Sequence, residues 1–219
     1  MHGFVLAGGL STRMGQDKAR LELGGRPLIA IAVDRLRALG LEARICGTRT
    51  DLAEFAPVIA DRFERCGPLG GIDAALEVSD TELNLFVPVD LPEIPLVFLR
   101  WMMERAERTG AVATIPMVVG RAQPLCAVYS RRVGRGLRRA LSTGQYKVMR
   151  ALEDAAALVG ERVDLFSMET VAAALPSGTW PPEPRMHEWF RNANTPADFA
   201  WLQRRGAEAS GAEGRHPIS

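Results

Sequence analysis

The sequence predicts an α/β fold with a mainly parallel sheet, on three observations. Short apolar runs alternate with segments of helical period through the first two thirds of the 219 residues, the order that βαβ units impose. The apolar run Gly3-Phe4-Val5-Leu6-Ala7 leads straight into a glycine-rich stretch, as a buried strand does when it hands over to a ligand loop. The most strand-like run of all, Leu83–Val89, stops at Asp90. A carboxylate is therefore expected at the C-terminal edge of the sheet, where open α/β folds bind their ligands.

After the first strand and the glycine stretch, Leu21-Glu22-Leu23 ends in Gly24-Gly25, and Pro27 opens a helix to about Leu39. Leu28, Ile29, Ala32, Val33, Leu36 and Leu39 follow the 3.6-residue period, and Gly40 stops it. Strands are expected at Ala43–Gly47 and, briefly, at Pro57–Ala60 before Asp61. Gly67-Pro68-Leu69-Gly70-Gly71 starts a helix that Ile72–Val78 continues. Past Asp90, Leu96–Arg108 is amphipathic and helical, Ala111–Val119 a strand, and Leu125–Tyr129 a strand near the sheet edge. Helices are expected at Arg131–Ser142 and Val148–Ala157, a weak strand at Val163–Leu165 and a short helix at Met168–Leu175. Thr195-Pro196-Ala197-Asp198 reads as a helix start, with Thr195 as N-cap and Asp198 facing the positive helix end. No repeat and no linker divides the chain. It is expected to form one domain over residues 1–205, with a disordered tail over 206–219 that lacks periodicity.

Composition narrows the function classes. At 47% hydrophobic and 24% charged, the chain has the balance of an ordinary soluble globular protein. A formal net charge of +1 gives no bulk electrostatic case for nucleic acid or membrane surfaces, so any phosphate affinity must be local. There is no apolar run of about 18 residues and no basic N-terminus with a hydrophobic signal core, so a cytosolic location is expected. Cys46, Cys66 and Cys126 are odd in number with no C-x-x-C pair, which favours buried or free thiols over a disulfide or a zinc site. His2, His187 and His216 are too scattered for a dyad, and His2 is expected on the surface.

The stretch Leu6–Lys18 carries the chemistry. Gly8, Gly9 and Gly15 let main-chain N–H groups approach a ligand closely, and Arg13 and Lys18 add a guanidinium and an ammonium. That set suits a polyphosphate; a solvated loop with two surface cations is the alternative for any one residue. The spelling excludes a P-loop, because Lys18 follows Asp17 and precedes Ala19. It also excludes G-x-G-x-x-G, because Gly9 follows Gly8 directly.

Other candidates gather around the expected sheet edge. Asp90, with Pro92 restricting the chain after it, reads equally as a Mg²⁺ ligand of the one-carboxylate kind or as the N-cap of a helix near Pro92 or Pro95. Gly67–Gly71 offers a helix N-terminus to a phosphate or a flat base, or close helix–sheet packing. Asp61 reads locally as a loop salt bridge. Gln123, in Gln123-Pro124-Leu125, and Asn192 and Asn194, in Asn192-Ala193-Asn194-Thr195-Pro196, can both donate and accept to a second substrate or simply form turns.

The stretch Leu6–Lys18 resembles the signature of the molybdenum cofactor guanylyltransferases, Leu-Ala-Gly-Gly-x-Ser-x-Arg-Met-Gly-x-Asp-Lys, at every specified position. Asp90-Leu91-Pro92 is similar to that family's Asp-x-Pro motif, and Gln123-Pro124-Leu125 and Asn192–Asp198 to its later motifs, so the resemblance runs from Leu6 to about Asp198. It implies a three-layer Rossmann-like nucleotidyltransferase fold. It implies Mg²⁺ on Asp90, and catalysis by Arg13, Lys18 and Asp90. Nucleotide contacts fall on Leu6, Ala7, Gly8, Gly9, Lys18, Asp61, Gly67, Pro68, Leu69 and Asp90. The second substrate falls to Gln123, Asn192 and Asn194. The implied substrates are GTP and a molybdopterin-type cofactor, with molybdoenzymes or cofactor-insertion proteins as partners. One departure stands out: Cys46-Gly47-Thr48 occupies the place where some relatives carry a nucleotide-binding Asn.

Three functions remain in view. The first is transfer of GMP from GTP to the terminal phosphate of the cofactor, releasing pyrophosphate. The second is cytidylyl transfer to the same cofactor, or nucleotidyl transfer to a sugar phosphate, against which Gly8-Gly9 counts. The third is a non-catalytic cofactor carrier, against which the presence of both Lys18 and Asp90 counts.

Overall fold

The computed structural model describes residues 1–8, 17–63, 65–182 and 185–213, the last eight of these as main chain only. Gly9 and Arg13 therefore lie outside the described residues, as does 214–219. The strands are β1 (His2–Leu6), β2 (Glu22–Leu23), β3 (Arg26–Pro27), β4 (Ala43–Cys46), β5 (Val58–Ile59), β6 (Leu83–Pro88), β7 (Ala113–Val118), β8 (Arg121–Ala122), β9 (Ala127–Ser130) and β10 (Val163–Ser167). The α-helices are α1 (Leu28–Ala38), α2 (Pro68–Val78), α3 (Leu96–Thr109), α4 (Gly134–Ser142), α5 (Val148–Leu158), α6 (Met168–Ala174) and α7 (Pro196–Glu213).

The main sheet runs β10-β7-β9-β6-β1-β4-β5, with β8 paired to β7. β1 is parallel to both β4 and β6, β4 to β5, and β7 to β10, while β9 and β8 are antiparallel insertions. Helices cover both faces, so the molecule has three layers. On one face Ile29, Val33 and Leu36 of α1 and Phe98, Leu99 and Met102 of α3 pack with Trp189 and Phe190. On the other, Leu69 and Ile72 of α2, Leu137 of α4 and Leu152 of α5 pack on Phe4 and Phe86. Burial on both faces explains why β1 and β6 read as continuous apolar runs.

Three expectations are corrected. The Leu125–Tyr129 strand is not near the edge: as β9 it pairs with β6 on one side and β7 on the other, buried throughout. His2 is buried, because the turn at Ser79–Thr81 covers the start of β1. Its ring lies 3.4 Å from the Ser79 hydroxyl and 3.2 Å from the Asp80 carboxylate. The last helix continues past Gly206 to Glu213, where the sequence lacks a helical period. The three cysteines are buried, as expected.

The start of α7 follows the expectation closely. Thr195 Oγ1 accepts from the Asp198 main-chain N–H at 3.1 Å, and the Asp198 carboxylate accepts from the Thr195 N–H at 3.2 Å. This reciprocal cap satisfies donors that a helix N-terminus leaves free. Leu202 of α7 then packs with Leu28 and Ala193, alongside Val89. The C-terminal segment is thereby drawn back against the strand that leads to Asp90.

Candidate active site

The register places the site. Leu6 stands opposite Cys46 on one side and Pro88 on the other, and Cys46 stands opposite Ile59. Four parallel strands thus end in one row, and the residues that follow them, Ala7-Gly8, Gly47, Asp61 and Val89-Asp90, emerge at one edge. The chain runs outward from β1 to β4 and β5, then returns to β6 on the opposite side of β1. This is the strand-order reversal at which open α/β sheets form a ligand crevice. A cleft of about 690 Å³ lies there.

Lys18 and Asp90 face each other across it. The Lys18 Nζ is 3.9 Å from Asp90 Oδ2 and donates to Asn194 Oδ1. Both charged side chains are about four-fifths withdrawn from solvent, at 24% and 19% exposed. Burial pushes the Asp90 carboxyl above its ordinary value, and the Lys18 ammonium pulls it part of the way back. Asp90 does not cap a helix: α3 begins at Leu96 after Pro95, with no side-chain cap. Its turn is instead held from behind. Arg35 of α1, half-buried, donates to the carbonyls of Leu91 (3.3 Å) and Pro92, and Ala193 N–H donates to the Asp90 carbonyl at 2.9 Å. Burial lowers the Arg35 guanidinium to about 10.

Across the cleft, Asp61 lies beside the start of α2. Its Oδ1 is buried without a hydrogen-bond partner among the described residues, and burial raises its carboxyl above the ordinary value. A Cβ on Gly71 would stand 3.4 Å from that oxygen and 3.2 Å from the Cys46 Cβ, so glycine is what lets α2 approach the strand ends. Cys46 itself is 1% exposed, and burial pushes its thiol up, with a further push from Asp61. It therefore offers no thiolate to a ligand.

Of the residues that the sequence pointed to, Leu6, Ala7, Gly8, Lys18, Asp61, Gly67, Pro68, Asp90 and Asn194 line this one cleft. Lys18 and Asn194 meet from 176 positions apart. Three others stand back. Leu69 is fully buried in the core under α2. Gln123 is engaged in the turn between β8 and β9, its main-chain N–H donating to Pro116 O at 2.8 Å. Asn192 is exposed and accepts, through its carbonyl, from Asn194 N–H at 2.9 Å. Asp17, Arg49, Leu125 and Thr195 also line the cleft. Arg49 was hidden because an arginine three residues beyond a strand reads as a surface cation.

Residues 3–157 match the MobA-like NTP transferase domain. The chain is also 34% identical over 212 residues to the molybdenum cofactor guanylyltransferase of Rhodopseudomonas palustris (strain BisB5), covering 91% of each chain. The chain belongs to the molybdenum cofactor guanylyltransferase family. It is a nucleotidyltransferase, and Lys18 and Asp90, to which the sequence pointed, meet in the cleft with Asp17. Solved structures share the fold. Molybdopterin-guanine dinucleotide biosynthesis protein A from Archaeoglobus fulgidus superposes with a TM-score of 0.74 at 22% identity, over 95% of this chain and 100% of that one. The 2-C-methyl-D-erythritol 4-phosphate cytidylyltransferase of Thermus thermophilus superposes with a TM-score of 0.61 at 14% identity, over 94% and 100%. Proteins named for guanine and for cytidylyl chemistry thus have one architecture, and base choice must be argued from the site. No helix among the described residues is long and apolar enough to cross a membrane.

Proposed function

We propose that this chain transfers GMP from GTP to the terminal phosphate of a molybdopterin-type cofactor and releases pyrophosphate, working in the cytosol. The observation that carries the reading is the Lys18–Asp90 pair facing into the cleft at the strand-order reversal, within a chain of this family. A phosphate nucleophile is already anionic near neutral pH, so in-line attack on the α-phosphorus needs no general base. The protein's task is to position two anions and neutralise the charge they bring together.

The residues divide that task. Lys18 places its ammonium against the triphosphate and the departing pyrophosphate, the role also read for Arg13, with the Gly8 main chain lying alongside. Asp61, whose Oδ1 has no hydrogen-bond partner among the described residues, suits the N–H donors of a nucleobase at the start of α2. Asn194 orients the Lys18 ammonium and borders the side from which the second substrate enters. Asp90 fits a Mg²⁺ ligand: its carboxylate is withdrawn from solvent, its oxygens are hard donors, and no group of three potential ligands exists among the described residues. Mg²⁺ prefers such a site, keeping waters and substrate oxygens as its other ligands. When bound, the ion supplies charge neutralisation at the reacting phosphates.

The test is to incubate the enzyme with molybdopterin, Mg²⁺ and each of GTP, CTP, ATP and UTP, and to identify the product by mass. The reading expects the guanine dinucleotide. A cytosine dinucleotide formed at an equal or higher rate would replace it with the cytidylyl reading, and nucleotide binding without any product would leave a carrier.

A further inference from the structure

Arg49 sits two residues past Gly47, and its guanidinium is spent on two carboxylates. Nη1 and Nη2 donate to the two oxygens of Asp17 at 2.9 and 2.5 Å. Nε and Nη2 donate to Asp51 at 2.8 and 2.7 Å. Asp17 is bound again by the main chain that follows it, its Oδ1 accepting from Ala19 N–H at 3.1 Å. An outer ring completes the network: Arg20 lies 3.8 Å from Asp17 and donates to Glu54 at 2.8 Å and to the Asp51 carbonyl at 3.0 Å. Segment 17–20 is thus fastened to segment 49–54, and Lys18 lies between the two residues, Asp17 and Ala19, that the fastening holds.

A fork of four N–H groups aimed at two carboxylates leaves Arg49 a poor phosphate ligand, because a phosphate would meet two anions beside one cation. The bidentate pairing fixes geometry instead. A lysine side chain is costly to order because it gives up several freely rotating bonds. Pinning the main chain on both sides of Lys18 restricts where its ammonium can go.

We propose that Arg49 is a positioning residue for Lys18, acting through Asp17 to hold the Lys18 ammonium between Asp90 and Asn194. The use of that ammonium on a triphosphate rests on the function proposed above; the positioning itself does not. The pairing already shows in Asp17, whose carboxyl the Arg49 hydrogen bonds hold below its ordinary value.

The composition makes a direct test practical, since Lys18 and Lys147 are the chain's two lysines. Reductive ¹³C-dimethylation of the full chain keeps both charges and gives each lysine its own NMR signal. At fixed pH, Lys18 should show restricted motion and a signal apart from exposed Lys147. In Arg49→Gln the Lys18 signal should move to the position and mobility of a free lysine while Lys147 stays unchanged. Asp17→Asn should do the same, and is the variant read if Arg49→Gln melts early or disturbs Lys147. An unmoved Lys18 signal in a folded variant overturns the proposal. GTP affinity supplies a second readout. Arg49→Gln should weaken GTP binding about tenfold with Lys18 present and hardly at all in Lys18→Ala, a coupling of the size seen within one network. Equal losses in both backgrounds would make Arg49 a direct ligand and overturn the proposal. If the Lys18 signal shifts as expected but the wild-type chain binds no GTP, the positioning stands and the guanylyl reading falls.

Discussion

Replacing Asp61 with Asn should make the ligand-free protein more stable and a poorer nucleotide binder at the same time. The Asp61 side chain is half-buried, and one of its oxygens has no hydrogen-bond partner among the described residues. Burial is what raises its carboxyl, and no cation among the described residues offsets it. A buried polar group left unpaired costs about 1–3 kcal/mol, and because this side chain opens onto the cleft the low end applies. Asn keeps the shape and removes the charge, so a gain of about 1 kcal/mol is expected. For a chain of this length that is a rise of about 2–4 °C in Tm. The sign of the pH dependence follows from the raised carboxyl. The native state holds the Asp61 proton more tightly than the unfolded state does. Wild-type stability therefore falls as pH climbs from the ordinary carboxylate value through the raised one. The advantage of Asp61→Asn should be larger at pH 7 than at about pH 4, because the penalty fades as pH falls back toward the ordinary carboxylate value. With GTP present the ranking should reverse, because the variant loses an acceptor for the nucleotide. Tm measured at both pH values, with and without GTP, reads all of this. A ligand-free variant melting at or below wild type at pH 7 would refute the reasoning, showing that Asp61 supports the fold rather than awaiting a ligand.

Two further predictions concern the scaffold. An alanine at Gly136 would put its Cβ 2.4 Å from the Ala155 Cβ and 2.5 Å from its Cα. Gly136→Ala should therefore lower stability by about 1–3 kcal/mol by overpacking α4 on α5, against a helix-propensity gain of about 1 kcal/mol. Gly134→Ala, whose Cβ meets nothing nearer than Leu76 at 3.9 Å, should not; urea midpoints compare the two, and a stabilised Gly136→Ala would mean the helices do not approach so closely. Truncation after Arg205 keeps Phe199 and Leu202 against Leu28, so Tm should stay within about 2 °C; a larger loss would show that the last turns of α7 dock on the body.

What could be read in the sequence was what local pattern controls. The apolar runs of β1 and β6 and the period of α1 are each written in consecutive residues, and with them the sheet edge that carries Ala7-Gly8 and Asp90. The Thr195–Asp198 cap is likewise local. The misses at β9, His2 and Arg49 are matters of pairing at a distance, whereas the helical end of α7 past Gly206 lacks a local period to announce it. Nothing in Leu125–Tyr129 says that β9 inserts antiparallel between β6 and β7, since a strand buried on both faces looks the same at an edge or in the middle. His2 is covered by a turn 77 positions away. Arg49 meets Asp17 across 32 positions, and only the β1–β4 register brings them together. Asn194 was legible as a polar group near the site, but its bond to Lys18 depends on α7 folding back over Leu28.

Pyrophosphate release by Asp90→Asn probes whether the cleft between Lys18 and Asp90 performs nucleotidyl transfer from GTP. Asn preserves size and most hydrogen bonding but removes the charge suited to a divalent cation. Groups that act on charge developing in the transition state affect turnover more than ground-state binding. Wild type should release pyrophosphate from GTP with molybdopterin and Mg²⁺. The variant should be slower by about 10²–10³-fold while still folding and still binding GTP. Near-normal pyrophosphate release by a folded Asp90→Asn protein would contradict it.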